Sequence, residues 1–440
     1  MLFFITLVSL LYPPELPFRS RQHSALKMKK SAVTGLLCGL FFSSLFAQEK
    51  VRYKFRHIQP ESGLSSIYIR KIIQDPYGFL WVGTQDGLNR YDGKNFVNYN
   101  TGLGRTRLIT GSDIRSLMLD TASRLVWSVN SYGGIDAIDY ETGVPVYHYF
   151  QTRDKSNAHV LFTSLALIGR QLYIGSTSGL FVLDTRERKL KKMELGNPFH
   201  KSDSVLFIDN ILADKPGNIW LFGRDLGVLF VPHGGGAPTR VGIEELAEDR
   251  DSTIRFFDCI PLRDGRILAA TSLGLISFYP DAGKKIYTDN HPFPNIPLSR
   301  GRDIYSCQQD KKGNIWFSLP GYLIRTTGKA NTFCQVAEHS SRDEFGWINS
   351  VYSIFLDKDD NVWLGCQQGL AYTRNQPSAI VTINRSPLSD AAIQHAYYLD
   401  PVDDSLLYCC AQEGLFKVNP RTGDVLQLDK GRPYYHIVKD

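Results

Sequence analysis

Ile72–Tyr91, IIQDPYGFLWVGTQDGLNRY, is the unit that the rest of this chain repeats. An apolar run ends at Asp75, a turn closes at Gly78, a second run centres on Trp81, a second turn closes at Gly87, and a third run opens at Leu88. Short apolar runs punctuated by Asp, Pro and Gly read as strands joined by tight turns. The same grammar returns at Ile211–Phe230, Cys307–Arg325 and Ile354–Tyr372, and more loosely at Leu117–Asp139, Leu165–Asp184, Cys259–Phe278 and Tyr397–Val418. Anchored on the centre of the second run, the copies fall at Trp81, Trp127, Tyr173, Trp220, Leu268, Trp316, Trp363 and Tyr408. That is a period of roughly 45 to 48 residues, the length of a four-stranded propeller blade.

The fourth strand follows the third. Lys94–Tyr99 alternates apolar and polar residues as a half-buried outer strand does, and Tyr53–Ile58 carries the same pattern ahead of the first unit. The chain therefore enters the array through an outer strand. Long connections at Gly102–Ser112, Gly196–Ser204 and Glu338–Trp347 lead from a fourth strand to the next first strand, so they share one rim with the turns between second and third strands. A Trp in the second strand suits a sheet covered on both faces. The glycines at 87, 134, 179, 227, 274, 369 and 414 mark turns that need an unusual backbone or a close neighbour.

The expected fold is all-β: a seven-bladed ring over residues 48–384, with residues 385–440 as the first blade of a truncated second propeller. An eight-bladed ring, its last blade completed by Tyr53–Ile58, is the alternative. A chain of 440 residues needs no second core in such an array, because each unit packs only on its neighbours. Residues 1–47 read as leader. Met28–Ala47 has a basic start, a short apolar centre and Ala47 before Gln48, which is a signal peptide cleaved after Ala47, with Met28 as the initiator. Export to the periplasm follows. His436–Asp440 looks like the opening strand of a further unit, so a fragment of a longer product is expected, joined to the membrane only through C-terminal segments outside this sequence.

Chemistry-bearing motifs are sparse. The formal charge of +6 is spread along the chain without a basic stripe, and no nucleic-acid partner is expected. Cys259 and Cys307 hold the same place in consecutive first strands, which allows a cross-blade disulfide or two buried thiols; no Cys/His spacing suggests a metal. Asp357–Asn361 resembles a calcium loop, but Val362 stands where Gly is required and the run matches the turn at Asp310–Asn314, so turn chemistry is expected. Gly234–Gly236 has no strand-to-helix context for phosphate, and no Ser/His/Asp set or nucleophile elbow supports catalysis. No cofactor and no catalytic residue are expected.

What remains is the loop rim. It carries Gln85, Asp86, Asn130, Tyr132, Arg224, Asp225, Gln367 and Gln368 on short turns, with Arg107, Arg342 and Trp347 on long loops. Amides, guanidiniums and aromatic rings suit a hydroxyl-rich ligand, with or without an acidic group, so the candidate ligand-binding set is Asn130, Tyr132, Arg224, Asp225, Arg342, Trp347 and Gln367.

The pattern Ile72, Asp75, Gly78, Trp81, Gly83, Thr84, Gly87, Leu88, Tyr91, led in by His57–Ser66 (HIQPESGLSS), resembles the two-component regulator propeller family, the sensor region of hybrid two-component histidine kinases. The resemblance is sharpest in the units of Trp81, Trp220, Trp316 and Trp363; Tyr173 and Leu268 depart from it. It implies a periplasmic sensor that binds an oligosaccharide released from a polysaccharide, works as a homodimer in the full-length protein, and relies on kinase modules outside this chain. A propeller lyase or hydrolase acting on a glycan or cyclic peptide is the alternative, and a protein–protein scaffold a second.

Overall fold

Apolar runs of five or six residues, each followed by a turn that Asp and Gly can close, pair with their immediate neighbours because such short connections bring consecutive strands side by side. In the computed structural model this produces eight four-stranded antiparallel sheets among the described residues. Those residues are 53, 55–58, 62–102, 108–150, 159–195, 206–224, 226–234, 236–241, 254–280, 286–289, 303–326, 333–338, 351–374, 396–403, 406–419, 425–430 and 432–435. The leader, its cleavage point and His436–Asp440 lie outside them.

The first sheet shows the pattern: Ile69–Gln74, Leu80–Thr84, Gly87–Tyr91 and Phe96–Tyr99 pair in sequence order. The sheet of Val351–Leu356, Val362–Cys366 and Gly369–Thr373 takes its outer strand from elsewhere, since Arg56–Ile58 pairs antiparallel with Gly369–Thr373. The last sheet, Ala396–Asp403 to Val425–Lys430, supplies its own fourth strand. The sequence-predicted outer strand at Tyr53–Ile58 is thus three residues long, and Tyr53 instead packs edge-on against Trp316, ring centroids 5.2 Å apart.

Each first strand packs on the next. Ile69–Gln74 meets Ile114–Asp120, and the series continues through Phe162–Ile168, Asn210–Ala213, Phe256–Pro261 and Ser306–Gln309 to Val351–Leu356, which also packs on Ile69–Gln74. The tryptophans fill the layers between sheets. Trp81 clusters with Ile114, Leu117 and Val126 of the following sheet, Trp127 with Phe162, Leu172 and Ile174, and Trp220 with Phe256, Ile267 and Phe278. Trp316 lies with Val351, Ile354 and Leu364, and Trp363 with Ile69, Ile72, Leu80 and Val82 of the first sheet. Losing one such side chain costs about 3–5 kcal/mol, because both bounding sheets would line the cavity.

The turns between first and second strands share one chemistry. Asp75, Asp214, Asp310 and Asp357 each accept from a backbone N–H four residues on and from the indole N–H six residues on. Asp357 also receives the side-chain amide of Asn361, so this carboxylate organises its own turn, as expected over calcium. The opposite turns rely on crowded glycines. Gly87 has φ 110°, and a Cβ there would lie 2.6 Å from the Tyr99 carbonyl oxygen. At Gly134 a Cβ would stand 1.9 Å from Thr110 Oγ1, so close approach, rather than backbone conformation, requires glycine.

Candidate functional site

Four second strands end in a side chain that builds the following turn. Thr84 Oγ1 donates to the Gly87 carbonyl at 2.9 Å and accepts from Asp86 N at 3.1 Å; Ser176 and Thr271 repeat this with Gly179 and Gly274. Asn130 occupies the same place. Its side chain is buried, its Oδ1 accepts from Tyr132 N and Gly134 N at 3.0 Å each, and its Nδ2 donates to Thr110 Oγ1 at 2.8 Å. Of the sequence-predicted set, Asn130 is therefore spent on its own turn. Tyr132 stands 55% exposed at the tip of that turn, and Gln367 and Gln368 are exposed at the equivalent tip. Arg224 is exposed, 3.7 Å from Asp209 and over the ring of Phe207 at 5.3 Å. Asp225, Arg342, Trp347 and Arg107 lie outside the described residues.

The same face contains a feature that the repeat pattern does not announce. Of the seven first strands that pack on one another in series, five break register one residue in, between Ile69 and Lys71, Ile114 and Ser116, Phe162 and Ser164, Phe256 and Asp258, and Val351 and Ser353. Each break is a β-bulge, which leaves one residue out of the ladder and re-aims its side chain. The bulged residues are Arg70, Arg115, Thr163, Phe257 and Tyr352. Asp209 and Tyr305 take the corresponding place, immediately before Asn210 and Ser306 begin their pairing with Phe222 and Ser318. Since first strands adjoin one another, these side chains gather at one mouth.

The mouth has two unlike arcs. Phe257 and Tyr305 meet edge-on with centroids 5.3 Å apart, and Tyr305 and Tyr352 are tilted at 5.2 Å. Arg255 adds a guanidinium 5.2 Å over Phe257 while bridging Asp303 at 3.0 Å. Beyond Tyr352 come Arg70 and Arg115, 3.4 Å and 3.9 Å from the same carboxylate, Asp113, whose Oδ2 also accepts from Ser131 Oγ at 2.6 Å. Burial and the charge of Arg70 push the Arg115 guanidinium below its ordinary value, against the pull of Asp113 and Asp209.

One residue deeper, the lining turns hydrophilic: Lys71, Ser116, Ser164, Asn210, Asp258, Ser306 and Ser353. Lys71 Nζ reaches Asp258 Oδ1 at 3.3 Å, from the first sheet to the fifth. Asp258 holds the ammonium above its ordinary value, although burial opposes it. Ser306 Oγ donates to Asp258 Oδ2 at 2.7 Å and accepts from Ile354 N at 3.0 Å. A cation and an anion on opposite walls thus lie across the bore beneath the mouth. Cys259 and Cys307, a step further along, are not joined by a disulfide in this structure.

Comparison with known proteins fits this architecture. The two component regulator propeller family matches residues 63–86 and 347–368. The chain carries repeats of the two-component regulator propeller family. Histidine kinase P4 of Formosa agariphila is 35% identical over 72 residues, 16% of this chain and 5% of that protein. The extracellular domain of a proposed hybrid two-component system of B. thetaiotaomicron superposes with TM-score 0.67 at 18% identity, covering 86% of this chain and 49% of that one. Virginiamycin B lyase of Staphylococcus aureus superposes with TM-score 0.55 at 12% identity, covering 74% and 100%. At these identities the superpositions speak for the propeller fold alone. The chain spans about half of the first of these structures and a small part of the curated relative. No helix among its described residues is long and apolar enough to cross a membrane.

Proposed function

We propose that this chain is the exported, ligand-sensing propeller region of a hybrid two-component sensor, and that it binds an oligosaccharide on the face carrying the second-to-third-strand turns. The observation that carries the reading is the mouth on that face, where aromatic rings and guanidiniums converge over a bore crossed by Lys71 and Asp258. Directional donors beside stacking surfaces are what a hydroxyl-rich ring needs. Tyr132, Arg224 and Gln367 stand on the surrounding turns and extend the contact area. Enzymatic output belongs to kinase modules beyond this region, and dimerisation to the full-length protein.

Seven blades form the ring in this reading. Arg56–Ile58 latches Gly369–Thr373, Trp363 packs on the first sheet, and Lys358 N donates to Gln74 Oε1 at 2.8 Å across the same seam. Thermal-shift screening of the chain against an oligosaccharide panel tests the function: a glycan should raise Tm with the logarithm of its concentration once that exceeds Kd. A panel without any stabilising glycan, alongside a protein partner captured by the same face, would favour a scaffold.

A further inference from the structure

The mouth is asymmetric in a way that names a ligand class, and the inference rests on the glycan-sensing reading above. We propose that the mouth binds a sugar residue bearing an acid group, carboxylate or sulfate, its ring laid on Tyr305 and Tyr352 and its acid group held between Arg70 and Arg115. The order of first strands sets the geometry: Val351–Leu356 packs on Ile69–Gln74, so the aromatic arc ends beside the arginines. Two guanidiniums converge on one carboxylate, Asp113, that is already engaged by Ser131. Asp209 also faces Arg115 and is approached by Arg224 at 3.7 Å, so three guanidiniums face two carboxylates, and the remaining positive charge favours a further anion.

Arginine forks match planar or tetrahedral oxyanions bidentately, and a half-buried fork is worth more than a solvated one. Arg70 and Arg115 are 37% and 38% exposed, open to a ligand yet partly screened from water. Lys71 is drawn down to Asp258, which leaves acid recognition to the arginines and gives the mouth a polar floor. A neutral sugar would use the aromatic arc and leave the cationic arc unanswered.

Isothermal titration of the full chain with digalacturonic acid, its methyl diester, a sulfated disaccharide and neutral digalactose tests this. Digalacturonic acid or the sulfated disaccharide should bind at least tenfold more tightly than the neutral pair, with affinity falling as salt is raised. The two acids distinguish carboxylate from sulfate. Arg70→Gln and Arg115→Gln should each weaken the acidic ligand at least tenfold more than they weaken digalactose. The two side chains are about equally exposed and lie on different sheets, so either variant keeps the test valid if the other misfolds. Binding of neutral but not acidic sugars overturns the inference and leaves glycan sensing standing, as does acidic binding that is indifferent to both variants and to salt. Failure of every sugar overturns both.

Discussion

Asp75 Oδ2 accepts the indole N–H of Trp81 at 2.8 Å, while Asp75 Oδ1 accepts Phe79 N at 3.0 Å. One buried carboxylate thus ties the first turn of a blade to the side chain that fills the gap to the next. The bond recurs at 3.1 Å for Asp214 and Trp220, 3.2 Å for Asp310 and Trp316, and 2.9 Å for Asp357 and Trp363. The repeat's Asp and Trp are a single structural device.

Asp75→Ala should therefore cost about 2–4 kcal/mol, since it strands a buried indole N–H and a turn amide together. Equilibrium urea unfolding of wild type and variant measures it. A loss below about 1 kcal/mol would mean that water replaces the carboxylate.

The second sheet breaks the rule. There Asp120 and Trp127 are seven residues apart, and both Trp127 Nε1 and Asp120 Oδ2 are buried without a hydrogen-bond partner. Trp127→Phe should consequently be near neutral, within about 1 kcal/mol, whereas Trp81→Phe should cost about 1–3 kcal/mol because it orphans Asp75. Paired denaturation curves decide it, and equal costs would contradict the account.

Asp136 gives a pH signature. It is buried against Thr110 and His148, with His148 Nδ1 2.8 Å from its Oδ1, and burial raises its carboxyl above the ordinary value despite those partners. A carboxyl raised in the folded state binds more protons folded than unfolded. Its ionised form thus subtracts stability at neutral pH, and the loss is recovered as pH falls through the folded value towards about 3.9, the unfolded one. Relative to Asp136→Asn, the wild type should gain stability between pH 7 and pH 4. Melting temperatures of the pair across that range provide the check.

The thiols should be inert. Cys307 and Cys366 are buried, and burial drives both far above the ordinary thiol value, so neither supplies thiolate at pH 8. Ellman's reagent should label them only as fast as the protein unfolds. Prompt labelling of either in the native state would contradict their placement.

Sequence alone reads the blades well because the six-residue Asp-to-Trp spacing and the turn glycines are local constraints repeated many times. It tolerates drift, as at Leu268, which is buried in the second strand of its sheet just as the tryptophans are in theirs. The mouth is illegible for the opposite reason. Its positions hold Arg, Arg, Thr, Asp, Phe, Tyr and Tyr, so no one residue type marks them; only the pairing register identifies them as equivalent. Asn130 misled in the same way. An amide on a rim turn looks like a ligand contact, yet it replaces the Thr84 hydroxyl in building the turn. Asp225, Arg342 and Trp347 lie outside the described residues and stay expectations.

Hydrogen exchange of the chain, with and without whichever glycan stabilises it most, tests the central claim most directly. Ligand should slow exchange in segments around Tyr68–Lys71, Asp113–Ser116, Arg255–Asp258, Asp303–Ser306 and Val351–Ser353, which reach the mouth from five different sheets. Protection confined to the opposite turns, at Asp75–Phe79, Asp214–Asn218, Asp310–Asn314 and Asp357–Asn361, would contradict it.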